Sequence, residues 1–321
     1  VEQVEILLGP QGTRYGSKAL AGPINFQSKD PTNETSYGLK LESANYNSTG
    51  LAGYLSGSAS KNLRYRLSAQ NLESDGFNTN QFLRKKTNKR NEGIVRGKLH
   101  WSLSDFTDLE ITASTIDIDN GYDAFSLDNV RDTLADQPGF DRQKSDILNT
   151  KLSLSQFESF KVEALVGYAE SGTEYGYDED WVFSGFHPWE YSSTDKYLRD
   201  RRTESAELRF VSTEPGMIFS ESTDWVFGLY SLAQEVDLER VYTFLSNHFS
   251  SQYDLNRFAV YGEINSRLKK NWGLSLGFRG EKYSASYHDS NKVNYTPDEN
   301  LYGGKLALTY KTSGNTLLYA S

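Results

Sequence analysis

From residue 36 onward the chain repeats one pattern: long stretches in which every second side chain is apolar and the rest are polar or charged. A backbone with that period is a strand whose two faces meet different media. Such stretches lie at 36–45, 50–59, 63–74, 92–103, 106–118, 145–156, 159–173, 202–213, 223–238, 254–268, 272–287, 299–311 and 314–321. Ordinary strands run ~5–6 residues, whereas a tilted strand crossing a bilayer needs ~9–11. Length and period together point to a transmembrane β-barrel.

The two faces support that expectation. In 95–103, Val95, Gly97, Leu99, Trp101 and Leu103 oppose Arg96, Lys98 and His100. Leu67, Leu99, Ile264 and Leu274 are expected to face lipid, and Arg66, Lys98, Glu263 and Arg279 a wet lumen. Short links near 60–62, 104–105, 157–158, 269–271 and 312–313 alternate with long ones at 75–91, 119–144, 174–201, 239–253 and 288–298. The link at 46–49 is a short exception, and 214–222 a long one. Short turns on one side and long loops on the other mark an outer-membrane barrel. Aromatics gather beside the short links: Trp101, Phe106, Phe157, Phe160, Trp225, Trp272 and Tyr310. Amphipathic rings prefer the membrane–water interface, so these turns are expected at one rim.

Composition removes competing classes. The 321 residues carry a net charge of −9, which argues against a nucleic-acid partner. Without cysteine there is no disulfide framework, thiolate zinc site or cysteine nucleophile. Aromatics make up 13% of the chain, too many for disorder. No apolar run approaches the ~18 residues of a spanning helix. His100, His187, His248 and His288 lack metal-ligand spacing, and no nucleophile elbow appears. The sequence gives no case for an enzyme and assigns no catalytic, cofactor or metal residue.

Residues 1–31 differ. A short apolar strand, Val4-Glu5-Ile6-Leu7-Leu8, runs into Gly9-Pro10-Gln11-Gly12-Thr13-Arg14-Tyr15-Gly16, then Ala19-Leu20-Ala21-Gly22-Pro23-Ile24-Asn25. Without a Gly-Lys-Ser/Thr step this is no P-loop. It resembles the end of the plug domain of TonB-dependent outer-membrane receptors, through Val4, Glu5, Gly9, Pro10, Gly12, Tyr15, Gly16, Ala19, Gly22, Ile24 and Asn25. Leu8, Ala21 and Pro23 depart from that pattern.

The resemblance implies residues 1–31 as the C-terminal part of a plug and 32–321 as the N-terminal part of a barrel, about thirteen of twenty-two strands. The odd strand count fits a fragment. It also implies active import across the outer membrane of a Gram-negative bacterium. The TonB–ExbB–ExbD complex would supply energy through an N-terminal segment absent here. An iron–siderophore complex is the implied cargo, with cobalamin, haem and glycans as alternatives. A passive porin-like channel is a further alternative, against which Val1–Asn25 speak.

Site residues follow from the loops. The link 174–201 is rich in rings, and Tyr175, Tyr177, Trp181 and Trp189 are the expected ligand contacts. The other open reading is that these rings fold the loop onto itself. The link 119–144 carries six aspartates, read as solvated acids, because Asp117–Gly121 misses the calcium-loop spacing. Arg84, Lys85, Lys86, Lys89 and Arg90 are either a solvated basic loop or a contact for lipopolysaccharide phosphates. Arg14, the single arginine of residues 1–31, is expected to pair with Glu207, Glu263 or Glu281 on the lumen wall.

Overall fold

The computed structural model describes residues 2–7, 12–16, 22–123, 125–189, 191–269, 271–312 and 316–321. The side chains of Arg14, Tyr15 and Lys269 lie outside the described residues. Near the N-terminus β1 (Gln3–Ile6) pairs antiparallel with β2 (Ile24–Gln27), and the helical turn α1 (Gly12–Tyr15) falls between them. The chain then runs through β3 (Ser36–Ala44), β4 (Ser48–Ser60), β5 (Leu63–Ser74), β6 (Asn78–Asn80), β7 (Lys85–Thr87), β8 (Arg90–Ser104) and β9 (Thr107–Tyr122). Next come β10 (Asp132–Thr133), β11 (Gly139–Leu154), β12 (Phe160–Asp178), β13 (Thr194–Ser212), the turn α2 (Ile218–Glu221) and β14 (Thr223–Tyr242). The last are β15 (Phe249–Lys269), β16 (Trp272–Asp289), β17 (Asn294–Tyr295), β18 (Asp298–Lys311) and β19 (Leu317–Ala320).

The long strands form one antiparallel meander, each paired to the next, with β3 and β19 at its two edges. β17 adds a short rung to β16, and β6, β7 and β10 make a separate small sheet within the outer loops. Each of the thirteen stretches read from the sequence corresponds to one strand of the meander.

Register fixes the faces. On β15 and β16, Arg257, Glu263, Arg279 and Glu281 are buried, while Phe258 and Phe278 are exposed. Neighbours in one strand differ sharply: Arg279 is 4% exposed and Phe278 59%. The polar face is the one on which α1 sits, since a Cβ on Gly16 would lie 3.0 Å from Arg257 Nη2. The ladder carries that assignment round the sheet. Glu207 opposes Tyr230, Glu163 opposes Arg209, and His100 opposes Glu110, all on the inner face. Arg66 and Lys98, directly paired, share that face, whereas Leu67 and Leu99 are exposed outside.

The outward row is apolar only over part of each strand. It reads Leu109, Ile111, Ala113 on β9, then turns to Asp117 and Asp119. On β12 it reads Val162, Ala164, Val166, Tyr168, then Glu170 and Glu174. On β15 it runs from Leu268 and Ile264 to Phe258, then reaches Asp254. A belt of apolar side chains therefore girdles the wall and ends in a charged belt beyond. The strand ends beyond this second belt are longer than the alternation predicts: β13 begins at Thr194 rather than 202, and β12 runs to Asp178 rather than 173. There the apolar signal disappears while the ladder of backbone hydrogen bonds continues, so these residues are strand and not loop.

The opposite rim is aromatic. Phe157 stacks on Phe160 at 4.8 Å, Phe160 lies 6.4 Å from Trp225, and Trp272 lies 4.7 Å from Tyr310. Trp101, Trp225 and Trp272 all sit at the short-turn ends of their strands. An interface girdle accounts for this position.

Candidate functional site

Two regions of the inner wall carry concentrated chemistry. The first is at the outer end of β12 and β13. Tyr175 and Tyr177 point inward from β12, and Tyr197 does the same from β13, opposite Tyr175 in register. Trp181 follows in the loop 179–193 and stacks on Phe125 at 4.8 Å, with the planes 8° apart. Tyr122 meets Tyr175 edge-on at 4.9 Å, and Phe125 meets Tyr177 at 5.8 Å. Phe125, Tyr175, Tyr177, Trp181 and Tyr197, with Glu179 and Arg199, line a recess of 670 Å³. Edge-on and stacked contacts of this kind fix ring positions beyond simple burial.

Asp195 holds the recess in shape. It is 1% exposed and takes a forked pair of bonds from Arg240, Nε to Oδ1 at 2.9 Å and Nη2 to Oδ2 at 2.6 Å. Tyr197 and Tyr177 donate their hydroxyls to the same carboxylate at 3.0 and 3.3 Å. Arg240 also lies over the rings of Tyr197 and Tyr242, 5.3 and 5.0 Å from their centroids. Burial pushes the Asp195 carboxyl up, but the bonds from Arg240 and Tyr197 outweigh it and hold it below the usual carboxylate range. Burial and the Asp195 charge push the Tyr177 phenol up, so it stays protonated. The two phenols thus spend their protons on Asp195 and present ring faces to the recess.

Three of the four expected ligand residues, Tyr175, Tyr177 and Trp181, come together here. Trp189 does not: it is 86% exposed at the loop surface, and only its backbone is engaged, N–H to His187 Nδ1 at 3.1 Å. Tyr175 and Tyr177 belong to a strand, not to the loop predicted for them. Sequence reasoning missed Tyr122, Phe125 and Asp195. Tyr122 had a signal, since it continues the inner row Ile116, Ile118, Asn120 of β9. Phe125 and Asp195 had none.

Of the six acids of the link 119–144, Asp128, Asp132 and Asp141 are exposed as predicted, whereas Asp119, Asp123 and Asp136 are engaged. Asp117–Gly121 is strand, and Asp119 is ion-paired to Lys89 and Arg142, both at 2.7 Å. Asp123 is buried and accepts from Asn80 at 3.0 Å and Thr133 at 2.6 Å, closing the small sheet of β6, β7 and β10 onto the wall. Within the basic run, Lys89 and Arg90 are likewise paired, Arg90 to Glu92. A recess of 730 Å³ lies on the outward charged belt around Asp119, Arg142 and Glu174. Arg142 there is already bonded to both acids. Among the described residues no three His, Asp or Glu side chains are grouped to hold a metal ion.

The second region is the seat of α1. Thr13 packs on Gly277 of β16 so closely that a Cβ there would meet Thr13 Cγ2 at 2.7 Å. Gly16, at φ +82°, presses on the guanidinium ends of Arg257 and Arg279. Those two arginines clasp Glu281: Arg257 Nε at 2.7 Å and Arg279 Nε at 2.9 Å. Glu207 accepts from Arg209 at 2.6 Å and from the Tyr261 hydroxyl at 2.5 Å. Glu263 is buried, opposite Gly277 in register, with Lys305 Nζ 3.9 Å away. Glu263 and Glu281 thus lie on β15 and β16, against which α1 packs, while Glu207 lies on β13 and reaches β15 through Tyr261. Arg14 has its backbone in α1, but its side chain lies outside the described residues. Farther round the wall, Lys98 is ion-paired with Asp30 of the segment leading into β3.

No protein-family model matches the chain. Among solved structures, the ferric yersiniabactin uptake receptor of Yersinia pestis is similar over 98% of this chain and 50% of that one, at 19% identity and TM-score 0.82. The fold is that of an outer-membrane receptor barrel. The ferric-catecholate import receptor of E. coli K12 in its closed form is similar over 99% and 54%, at 13% identity and TM-score 0.82. The ferripyoverdine receptor of the Pseudomonas aeruginosa outer membrane, bound to ferripyoverdine, follows at 98% and 45%, 15% identity and TM-score 0.78. This chain spans about half the length of the structures it matches.

Proposed function

We propose that this chain is the plug end and first barrel strands of a TonB-dependent receptor, which imports a scarce ligand across the Gram-negative outer membrane. An iron–siderophore complex is the cargo we favour, and the TonB–ExbB–ExbD complex the energy source. One observation carries the reading: an aromatic recess at the loop-bearing end opens on the same face of the wall on which α1 is seated. A passive pore would leave that face clear. The ferric yersiniabactin uptake receptor and the ferric-catecholate import receptor are both similar to this chain, which supports the cargo class.

In this reading Tyr175, Tyr177 and Trp181 offer ring faces to a ligand, and Arg199 offers a positive charge. Trp189 is an outer contact for a ligand taller than the recess. Residues 1–31 are the end of the plug, and Arg14 pairs with at least one of the wall carboxylates Glu207, Glu263 and Glu281. Lys85, Lys86 and Arg84 face the lipopolysaccharide of the outer leaflet.

The test is a binding titration on the intact receptor with a panel of ferric siderophores, and with cobalamin, haem and glycans as competitors. One ferric siderophore should bind tightly, and Trp181→Ala or Tyr175→Ala should each weaken it about tenfold, the loss of ~1.4 kcal/mol of ring contact. Binding of cobalamin, haem or a glycan alone would displace the siderophore reading. For the plug seat, double-mutant cycles of Arg14→Ala with Glu207→Ala, Glu263→Ala and Glu281→Ala should give a coupling of ~1 kcal/mol or more for at least one pair. Zero coupling with Glu207, Glu263 and Glu281 alike would leave Arg14 a local plug residue.

A further inference from the structure

Beneath the aromatic recess lies a group of acids that the ligand reading does not use. Asp178 closes β12 on the face away from Tyr177, and Asp180 follows two residues later in the loop 179–193. Asp136 approaches from the loop 123–138. Backbone N–H groups bind all three: Gln137 to Asp178 Oδ2 at 3.2 Å, Ser193 to Asp180 Oδ2 at 3.1 Å, and Ser184 to Asp136 Oδ2 at 3.2 Å. The acids thus tie the loop 123–138 to the loop 179–193. Asp178 Oδ1 and Asp136 Oδ1 remain buried without a partner, as does Ser193 Oγ. Asp178 is 6% exposed.

We propose that Asp178, Asp180 and Asp136 form a one-proton switch that sets whether the aromatic recess is closed. When Asp178 carries the proton, its hydroxyl donates to the Asp180 carboxylate and the two loops stay together. When the proton leaves to water, the buried Asp178 carboxylate faces the half-buried Asp180 carboxylate with Asp136 beside them, and the loops part.

The acids around Asp178 favour the proton, against the Gln137 N–H bond and Lys196, which lies one pair along on the same face of β13. Asp180 and Asp136 act on it directly. Glu179 and Tyr191 belong to the same loop, and the Tyr191 phenol is itself pushed up by burial and by Glu179 and Asp180. Arg240 is occupied by Asp195 on the other face of the wall. Burial, then the bond to Asp180 and the charges of Asp180 and Asp136, push the Asp178 carboxyl up to about 7. The grouping is not that of a metal site.

The recess feels the switch through Trp181. That residue sits between Asp180 and Val182 at φ +65°, a backbone state costly for a bulky side chain. Its ring stacks on Phe125, which comes from the same loop as Asp136. Parting the loops separates the stack and releases the strained turn. In the open state Asp178 titrates near ~3.9 like an ordinary aspartate. The closed state therefore binds a proton that the open state does not between pH ~4 and about 7. Closure is fully favoured at the low end and falls by up to tenfold per pH unit, levelling above about 7.

The experiment is hydrogen exchange of the segment 179–193 in the intact, ligand-free receptor in lipid nanodiscs, from pH 5 to 8.5, corrected for intrinsic exchange. Protection should fall with pH by several-fold per unit and level off near neutrality. Asp178→Asn, which carries a permanent donor toward Asp180, should be protected at every pH. Asp136→Asn, a second variant that removes one neighbouring charge, should move the midpoint to lower pH. A flat wild-type profile, or Asp178→Asn with the wild-type slope, overturns the switch. So does a slope that appears only after chelation by EDTA, which would give the carboxylates to a divalent cation. Because no siderophore is present, failure here leaves the ligand reading standing.

Discussion

Glu281 is the side chain on which the inner wall most depends. Two buried guanidinium groups share it, and Gly16 is pressed against them. Replacing Glu281 by leucine leaves two buried cations without their acid and should cost ~3–5 kcal/mol, measured by urea unfolding of the receptor in lipid vesicles. Gly16→Val meets both an unfavourable φ and the Arg257 Nη2 atom, so the α1 seat should loosen by ~1–3 kcal/mol while the sheet stays folded. At the outer end Asp195 works with the opposite sign to Asp178. Its carboxyl is held below the usual range, so its stabilisation is present above pH ~4 and lost as pH falls through that lowered value. Amide exchange around residues 194–197 should be insensitive to pH from 8 to 5 and rise below 4. Asp195→Asn should show the raised exchange at every pH. None of these pairings was legible in the sequence, because each joins residues on different strands. Asp195 and Arg240 stand 45 positions apart and meet only through the register of β13 with β14.

At the scale of the strand, one row of side chains records the surroundings. Ile264 lies inside the apolar stretch from Phe258 to Leu268, whereas Gln252 lies beyond it on the charged belt. Ile264→Arg should destabilise the barrel by ~2–4 kcal/mol, and Gln252→Arg by ~0–1, in refolding measurements in lipid vesicles. Equal penalties would contradict the placing of the lipid boundary. This row also explains what could be read beforehand. Strand number and inner or outer face follow from period-2 alternation, which a half-apolar wall must show. Outer strand ends do not, because beyond lipid both faces are polar: Asp200, Arg201 and Arg202 are consecutive in β13 yet fully laddered. Tyr175 and Tyr177 were assigned to a loop for that reason, and Asp119 and Asp123 were taken as solvated because their partners, Lys89 and Arg142, Asn80 and Thr133, belong to other elements.

For the whole molecule, the account holds that this wall stands in an outer membrane with its long loops and aromatic recess outside and its aromatic rim inside. The recess was legible as a concentration of rings in one link, but its shape was not. Trp189 left the group because it sits at the tip of a loop, while Phe125 joined it from another loop. The absence of cysteine from all 321 residues makes the orientation directly measurable. Single cysteines are placed at Trp189, in an outer loop, and at Asp105, in the short turn between β8 and β9. Intact cells are then treated with a membrane-impermeant maleimide. The account predicts labelling of Trp189→Cys in intact cells and of Asp105→Cys only after the outer membrane is permeabilised. Labelling of Asp105→Cys in intact cells with Trp189→Cys protected would contradict it.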